Sequence, residues 1–144
     1  MVTNIILGIA EKIRTRYAQG GYKLYTESIK QGFEEPCFFV QLITQVQTQR
    51  LGNRYMETYS FDIQYFPNEN GGENKECLDV SEELYELLEY IAVNEDLLRG
   101  MSLNSRVQDR VLHFFVDYVV PVVRTKAEEE KMEEVIIYGE TKEW

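Results

Sequence analysis

Two long alternating runs separated by a short turn limit the fold of this chain more than any other feature. From Phe38 to Gln47, the residues Phe38, Val40, Leu42, Thr44 and Val46 share one phase, and Phe39, Gln41, Ile43, Gln45 and Gln47 share the other. After Leu51-Gly52-Asn53, a run from about Arg54 to Phe66 sets Tyr55, Tyr59, Phe61, Ile63 and Tyr65 on one phase. Period-two alternation puts successive side chains on opposite faces of a strand, so the pair predicts an antiparallel hairpin with the first set of each arm in the core. Each arm exceeds the usual strand of about five or six residues. The polar tip, rich in Gln45, Gln47, Gln49, Arg50 and Arg54, is therefore expected to project beyond the body of the domain.

The rest of the chain supplies layers for this hairpin. Ile5, Ile9 and Ile13, with Ile6, Ala10 and Tyr17, make the apolar stripe of a first helix capped at Thr3 or Asn4 and ended by Gly20-Gly21. Tyr22 to Thr26 reads as a short strand. Pro36, which lacks an N–H, marks the entry to the hairpin's first arm. A second helix places Cys77, Val80, Leu84, Leu87, Leu88 and Ile91 on one stripe, with Glu82, Glu83, Glu86 and Glu89 on the solvated face. Two strands follow, one through Met101, Leu103 and Val107 and one with Leu112, Phe114, Val116, Tyr118 and Val120 inward, separated by a turn at 108–110. Pro121 assigns the second to an edge or a bend. A charged loop from Lys126 to Glu134 leads to Val135-Ile136-Ile137-Tyr138, read as a last strand returning along its predecessor. The expected class is α+β: a mostly antiparallel sheet with two helices on one face, in the order α-β-β-β-α-β-β-β.

At 144 residues the chain fits one domain, 1–144, long enough to bury a sizeable core. Its formal net charge is -10, and residues 69–99 hold ten acids against two bases. Nucleic-acid affinity comes largely from Lys and Arg displacing counterions, so tight DNA binding is not expected, though an acidic wall past which DNA slides stays open. No run approaches a membrane span and no signal peptide is visible, so no membrane partner is expected. Cys37 and Cys77 are expected to be free thiols.

Candidate chemistry is sparse. His113 shares a strand phase with Asp117, but four residues along a strand is about 13 Å, too far for a direct hydrogen bond. Cys37 follows Glu34-Glu35, and a reactive thiol needs the opposite charge nearby. Glu82, Glu86 and Glu89 have helical spacing, yet no histidine or calcium-loop pattern accompanies them. Phosphate loops, nucleophile elbows, dinucleotide fingerprints and zinc motifs are absent from the sequence. The expectation is no catalytic residue, no metal and no cofactor.

Three stretches carry a resemblance: Tyr25-Thr26-Glu27, Gly32-Phe33-Glu34-Glu35-Pro36-Cys37-Phe38-Phe39 and Val111-Leu112-His113-Phe114-Phe115-Val116-Asp117-Tyr118. With Asn4-Ile5-Ile6-Leu7-Gly8-Ile9 at the start and Met132-Glu133-Glu134 near the end, the chain resembles the tail terminator proteins of phages and prophages of Gram-positive bacteria. That resemblance implies a non-enzymatic virion protein, assembled in the bacterial cytoplasm into a homo-oligomeric ring, typically a hexamer. Such a ring caps the tail tube, ends its polymerisation and offers a surface to sheath, neck or head-completion proteins. It also fits the closing ring of a headless, phage-tail-like bacteriocin. DNA would pass through the lumen without specific binding.

An over-long hairpin and a proline-marked edge suit such assembly. The expected self-assembly residues are Gln45, Gln47, Gln49, Arg50, Arg54, Met56, Val119 and Val123. An acidic helix face could line the lumen or face outward. The competing reading is a monomeric head-completion or neck adaptor whose hairpin docks onto a partner's ring.

Overall fold

The computed structural model describes residues 1–26 and 32–124. Its elements are α1 (Val2–Tyr17), β1 (Lys23–Tyr25), β2 (Cys37–Gln49), β3 (Arg54–Phe66), α2 (Glu73–Leu87), β4 (Tyr90–Val93), β5 (Asp96–Gln108) and β6 (Val111–Val123). The expected order of helices and strands is observed. The strands form one sheet in the order β1-β2-β3-β6-β5-β4. Two compact units divide the chain: Met1–Val46 with Thr58–Val119, and Gln47–Glu57 with the chain from Val120.

The first unit holds both helices and the core. Ile5, Ile9, Ala10, Ile13 and Tyr17 of α1 are buried, as the stripe demands. Phe61, Ile63 and Tyr65 of β3 and Leu112, Phe114 and Tyr118 of β6 are fully enclosed on the matching phases. Each such side chain contributes roughly 1.5–3 kcal/mol by leaving water. Tyr17 of α1 meets Phe38 of β2 at 5.0 Å between ring centroids, and Tyr85 of α2 meets Phe114 of β6 at 4.8 Å. These contacts seat the helices on one face of the sheet. Where α1 crosses β4, Gly8 permits the approach: a Cβ there would stand 2.7 Å from the Ala92 carbonyl oxygen.

Several local expectations are corrected. The first helix begins at Val2, with Met1 at its cap and no side-chain cap bond, so Thr3 and Asn4 lie inside the first turn. β1 pairs parallel to β2, Lys23 opposite Cys37, so the sheet is mixed at that edge. The second helix stops at Leu87, and Ile91 belongs to β4, which pairs antiparallel with β5. Glu83 is engaged by Arg16 and Tyr17 rather than merely solvated, and Glu89 lies beyond the helix, 4.0 Å from Arg99.

Alternation on β2 holds for direction but not for burial. Cys37, Phe38, Phe39 and Val40 are all buried, because this end of the strand packs on both faces. On the side away from Phe38, Phe39 stacks on Tyr25 and meets Phe33 and Phe66 at 5.6 and 5.4 Å. Further along, Thr44 is exposed and Val46 is 52% exposed, so neither joins the core. The Val135–Tyr138 strand lies outside the described residues.

In the second unit, the hairpin closes through Arg50 N–H to the Arg54 carbonyl at 2.8 Å and Arg54 N–H to the Leu51 carbonyl at 3.1 Å. Gly52 supplies the left-handed backbone this turn requires, with φ 63°. The end of β6 lies against the turn: Arg124 N–H donates to the Asn53 carbonyl at 2.9 Å, and Asn53 Nδ2 donates to the Arg124 carbonyl at 2.7 Å. Backbone groups alternate in direction along a strand, so residue 121, three positions back, points to the opposite edge. β6 lies between β3 and β5 rather than at an edge of the sheet, and its pairing with β5 ends at Tyr118 opposite Gly100, so Pro121, beyond that pairing, removes no ladder bond.

Candidate functional site

The expected assembly residues fall in both units. Gln47, Gln49, Arg50, Arg54, Met56 and Val123 belong to the second unit, whereas Gln45 and Val119 belong to the first. Gln45, Gln47, Gln49, Arg50 and Arg54 are exposed, Met56 and Val119 half-buried, and Val123 is 64% exposed. Leu51, at the turn between the arginines, is 79% exposed.

The residue that organises this unit is Arg124, which periodicity alone does not single out. Its guanidinium donates to Gln47 Oε1, reaches Glu57 Oε2 at 3.5 Å and lies 5.1 Å from the Tyr55 ring centroid. Glu57 is largely enclosed, with 12% of its side chain exposed, so the pair is screened less than a surface ion pair. The signals available in sequence were weak: a cation directly after the apolar run Pro121-Val122-Val123, and an Asn in the turn.

The candidates for chemistry separate in space. Burial, and secondarily Glu35, pushes the Cys37 thiol up to about 12. Burial, then Glu76, pushes Cys77 up to about 11. Neither is a thiolate near neutral pH, and both side chains are packing. His113 is held by a cross-strand partner, Asp62, at 3.1 Å from its Nδ1. Gln64 donates to the same Asp62 oxygen at 3.1 Å and to Gln41 Oε1 at 2.9 Å. The imidazole therefore belongs to a polar belt across β2, β3 and β6 that fixes their side chains.

A hollow of about 860 Å³ opens between the end of α1 and the side of α2. Its carboxylates are already engaged: Glu83 accepts from Tyr17 and Arg16, and Glu76 accepts from the Tyr65 hydroxyl and from Asn68 N–H at 3.3 Å. Burial first, then the hydrogen bond to its glutamate, raises each of these phenols far above the ordinary tyrosine range. They stay protonated and serve as donors. Among the described residues no group of three or more His, Cys, Asp or Glu is placed to hold a metal ion, and no helix is long and apolar enough to cross a membrane.

A search of curated proteins finds no match. One solved structure aligns with 87% of this chain and 96% of its own at 11% identity and a TM-score of 0.46, a likeness too loose to inform function. The family model described as "Phage tail terminator protein" matches residues 4–130, which takes in α1 from Asn4 onward, all of α2 and all six described strands. Of the resembling stretches, only Met132-Glu133-Glu134 falls beyond that match. This chain belongs to the phage tail terminator family, and its role is that of a structural component of the tail.

Proposed function

We propose that the protein forms a homo-oligomeric ring, a hexamer, that caps the tail tube, stops its growth and presents a docking surface to neck, head-completion or collar proteins. The observation that carries this reading is the tip of the β2–β3 hairpin, where Arg50, Leu51 and Arg54 are exposed in a member of a tail terminator family. Exposed apolar and cationic groups at one turn suit a contact with another chain. The tube protein and further copies of this chain are the partners; sheath contacts follow if the tail is contractile. DNA traverses the ring without specific binding, because the net charge of -10 opposes phosphate contact. The same cap would close a headless bacteriocin particle.

Native mass measurement of the purified protein, alone and with polymerising tube protein, tests the reading. The expected result is a closed ring and tubes of arrested length. A chain that stays monomeric and leaves tube length unchanged would sink it.

A further inference from the structure

Among the described residues the outer edge of β5 is open beyond its short pairing with β4. β4 pairs only with Asp96–Arg99, while β5 continues to Gln108, paired on its other side with β6. Among the described residues β4 is its only neighbour on the outer side, and there Asn104–Gln108 present a row of backbone donors and acceptors with no strand partner. Such a row is a template for an added strand.

Helix α2 flanks this edge. The Ser105 hydroxyl lies 2.9 Å from that of Ser81 and 3.1 Å from that of Tyr85, and Cys77 Sγ lies 3.8 Å from the Arg110 carbonyl. On the same flank, seven residues apart, α2 leaves Leu78 59% exposed and Tyr85 39% exposed. An open edge beside an apolar helix flank makes a groove for an extended apolar segment.

The chain contains such a segment. Residues 125–144 follow the last described position and hold Val135-Ile136-Ile137-Tyr138, a β-branched and aromatic run. It lies beyond the family match, which ends at 130. Its flank complements the groove: Glu133-Glu134 precede the run, and a strand entering antiparallel beside Gln108 brings them to exposed Arg110.

We propose that Val135–Tyr138 of one copy adds as an antiparallel strand to the β5 edge, Asn104–Gln108, of a second copy. Arm and edge are different surfaces, so the contact repeats head to tail and closes into a ring when the rotation allows. The inference rests on the ring reading above and identifies a link between neighbours.

The test compares the full chain with one ending at Glu130 and with full-length Ile136→Asp, which keeps the chain length. Hydrogen exchange and native mass are measured for each. Amides of 104–108 are expected to exchange at least tenfold more slowly in the full-chain oligomer than in either variant, both variants keeping a cooperative thermal transition. A synthetic peptide of residues 131–141 added to the shortened chain should restore the protection. Equal exchange in all three proteins overturns the proposal, as does protection that survives dilution of the full chain to monomer, which would place the arm on its own edge. A shortened chain that still forms rings overturns the link but leaves the ring standing. A full chain that neither self-associates nor caps tubes removes both.

Discussion

Gly8 sets two residue-scale effects against each other. In an exposed helix, Gly to Ala gains about 1 kcal/mol of helix propensity. Here the new methyl would sit 2.7 Å from the Ala92 carbonyl oxygen and 3.4 Å from Ile91 Cδ1, and a strand backbone cannot rotate aside as a side chain can. Gly8→Ala is therefore expected to destabilise by about 1–3 kcal/mol net, the usual range for overpacking. Urea unfolding measures this, and a gain in stability would show that α1 does not rest on β4 at this position. The sealed thiols make a second residue-scale prediction. A free thiol ionises near pH 8.5–9, whereas Cys77 and Cys37 hold their protons to about 11 and about 12. Because the folded values are raised, this contribution is complete below the unfolded value and is lost as pH climbs toward the folded ones. The expected slope is up to ~1.4 kcal/mol per pH unit for each thiol. Tyr17, Tyr65 and Tyr118 are also raised, but their unfolded phenols are half-ionised only at about pH 10, so the interval from 8 to 9 is governed by the thiols. Urea midpoints should fall across that interval in the native sequence and stay nearly level in Cys37→Ala/Cys77→Ala, which keeps only the small tyrosine contribution. A level native profile would contradict the burial of both sulfurs.

Among the elements, the β5–β6 hairpin carries the clearest local conflict. Gln108 pairs with Val111, leaving Asp109 and Arg110 as a two-residue loop with φ 54° and 65°. Both positive values match the type I′ turn, whose preferred second residue is glycine. Arg110→Gly should raise stability by about 0.5–1 kcal/mol, since relief of the left-handed backbone exceeds the extra freedom of the unfolded chain. A calorimetric melting temperature a few degrees higher is the expected readout; a lower one would mean the arginine side chain stabilises more than its backbone costs. This turn was legible in sequence because two alternating runs converge on it. β2, β3 and β6 were legible for the same reason, and α1 and α2 through their four-residue and three-residue spacings. β4 was not. Leu84, Leu88 and Ile91 continue the helical period past Leu87, and four residues are too few for alternation to compete with it. Arg124 and Asp62 escaped notice for another reason. Their partners His113, Gln47 and Glu57 lie 51 to 77 positions away, a separation that no local pattern encodes.

At the scale of the whole molecule, the question is which surface joins one copy to the next structure in the tail. The chain is acidic, with ten acids against two bases in residues 69–99, yet the hairpin turn carries Arg50 and Arg54 on either side of exposed Leu51. Arg124 is committed within its own unit by Gln47, Glu57 and Tyr55. Arg50 and Arg54 are exposed, and neither forms a salt bridge among the described residues. Unpaired surface charges contribute little to folding but much to the encounter between complementary surfaces. Arg50→Glu/Arg54→Glu should thus leave the unfolding free energy within about 0.5 kcal/mol of the parent. The same change should weaken assembly on tube ends by tenfold or more, and raising salt toward 1 M should weaken the parent's assembly in the same direction, because screening shortens the reach of these charges to about 3 Å. Arg124→Ala supplies the contrast: it removes the guanidinium shared by Gln47, Glu57 and the Tyr55 ring and should cost about 1–3 kcal/mol in stability. Sedimentation of tube–cap complexes beside urea unfolding separates the two effects. If the double glutamate variant caps tubes as well as the parent does, the joining surface lies elsewhere on the chain.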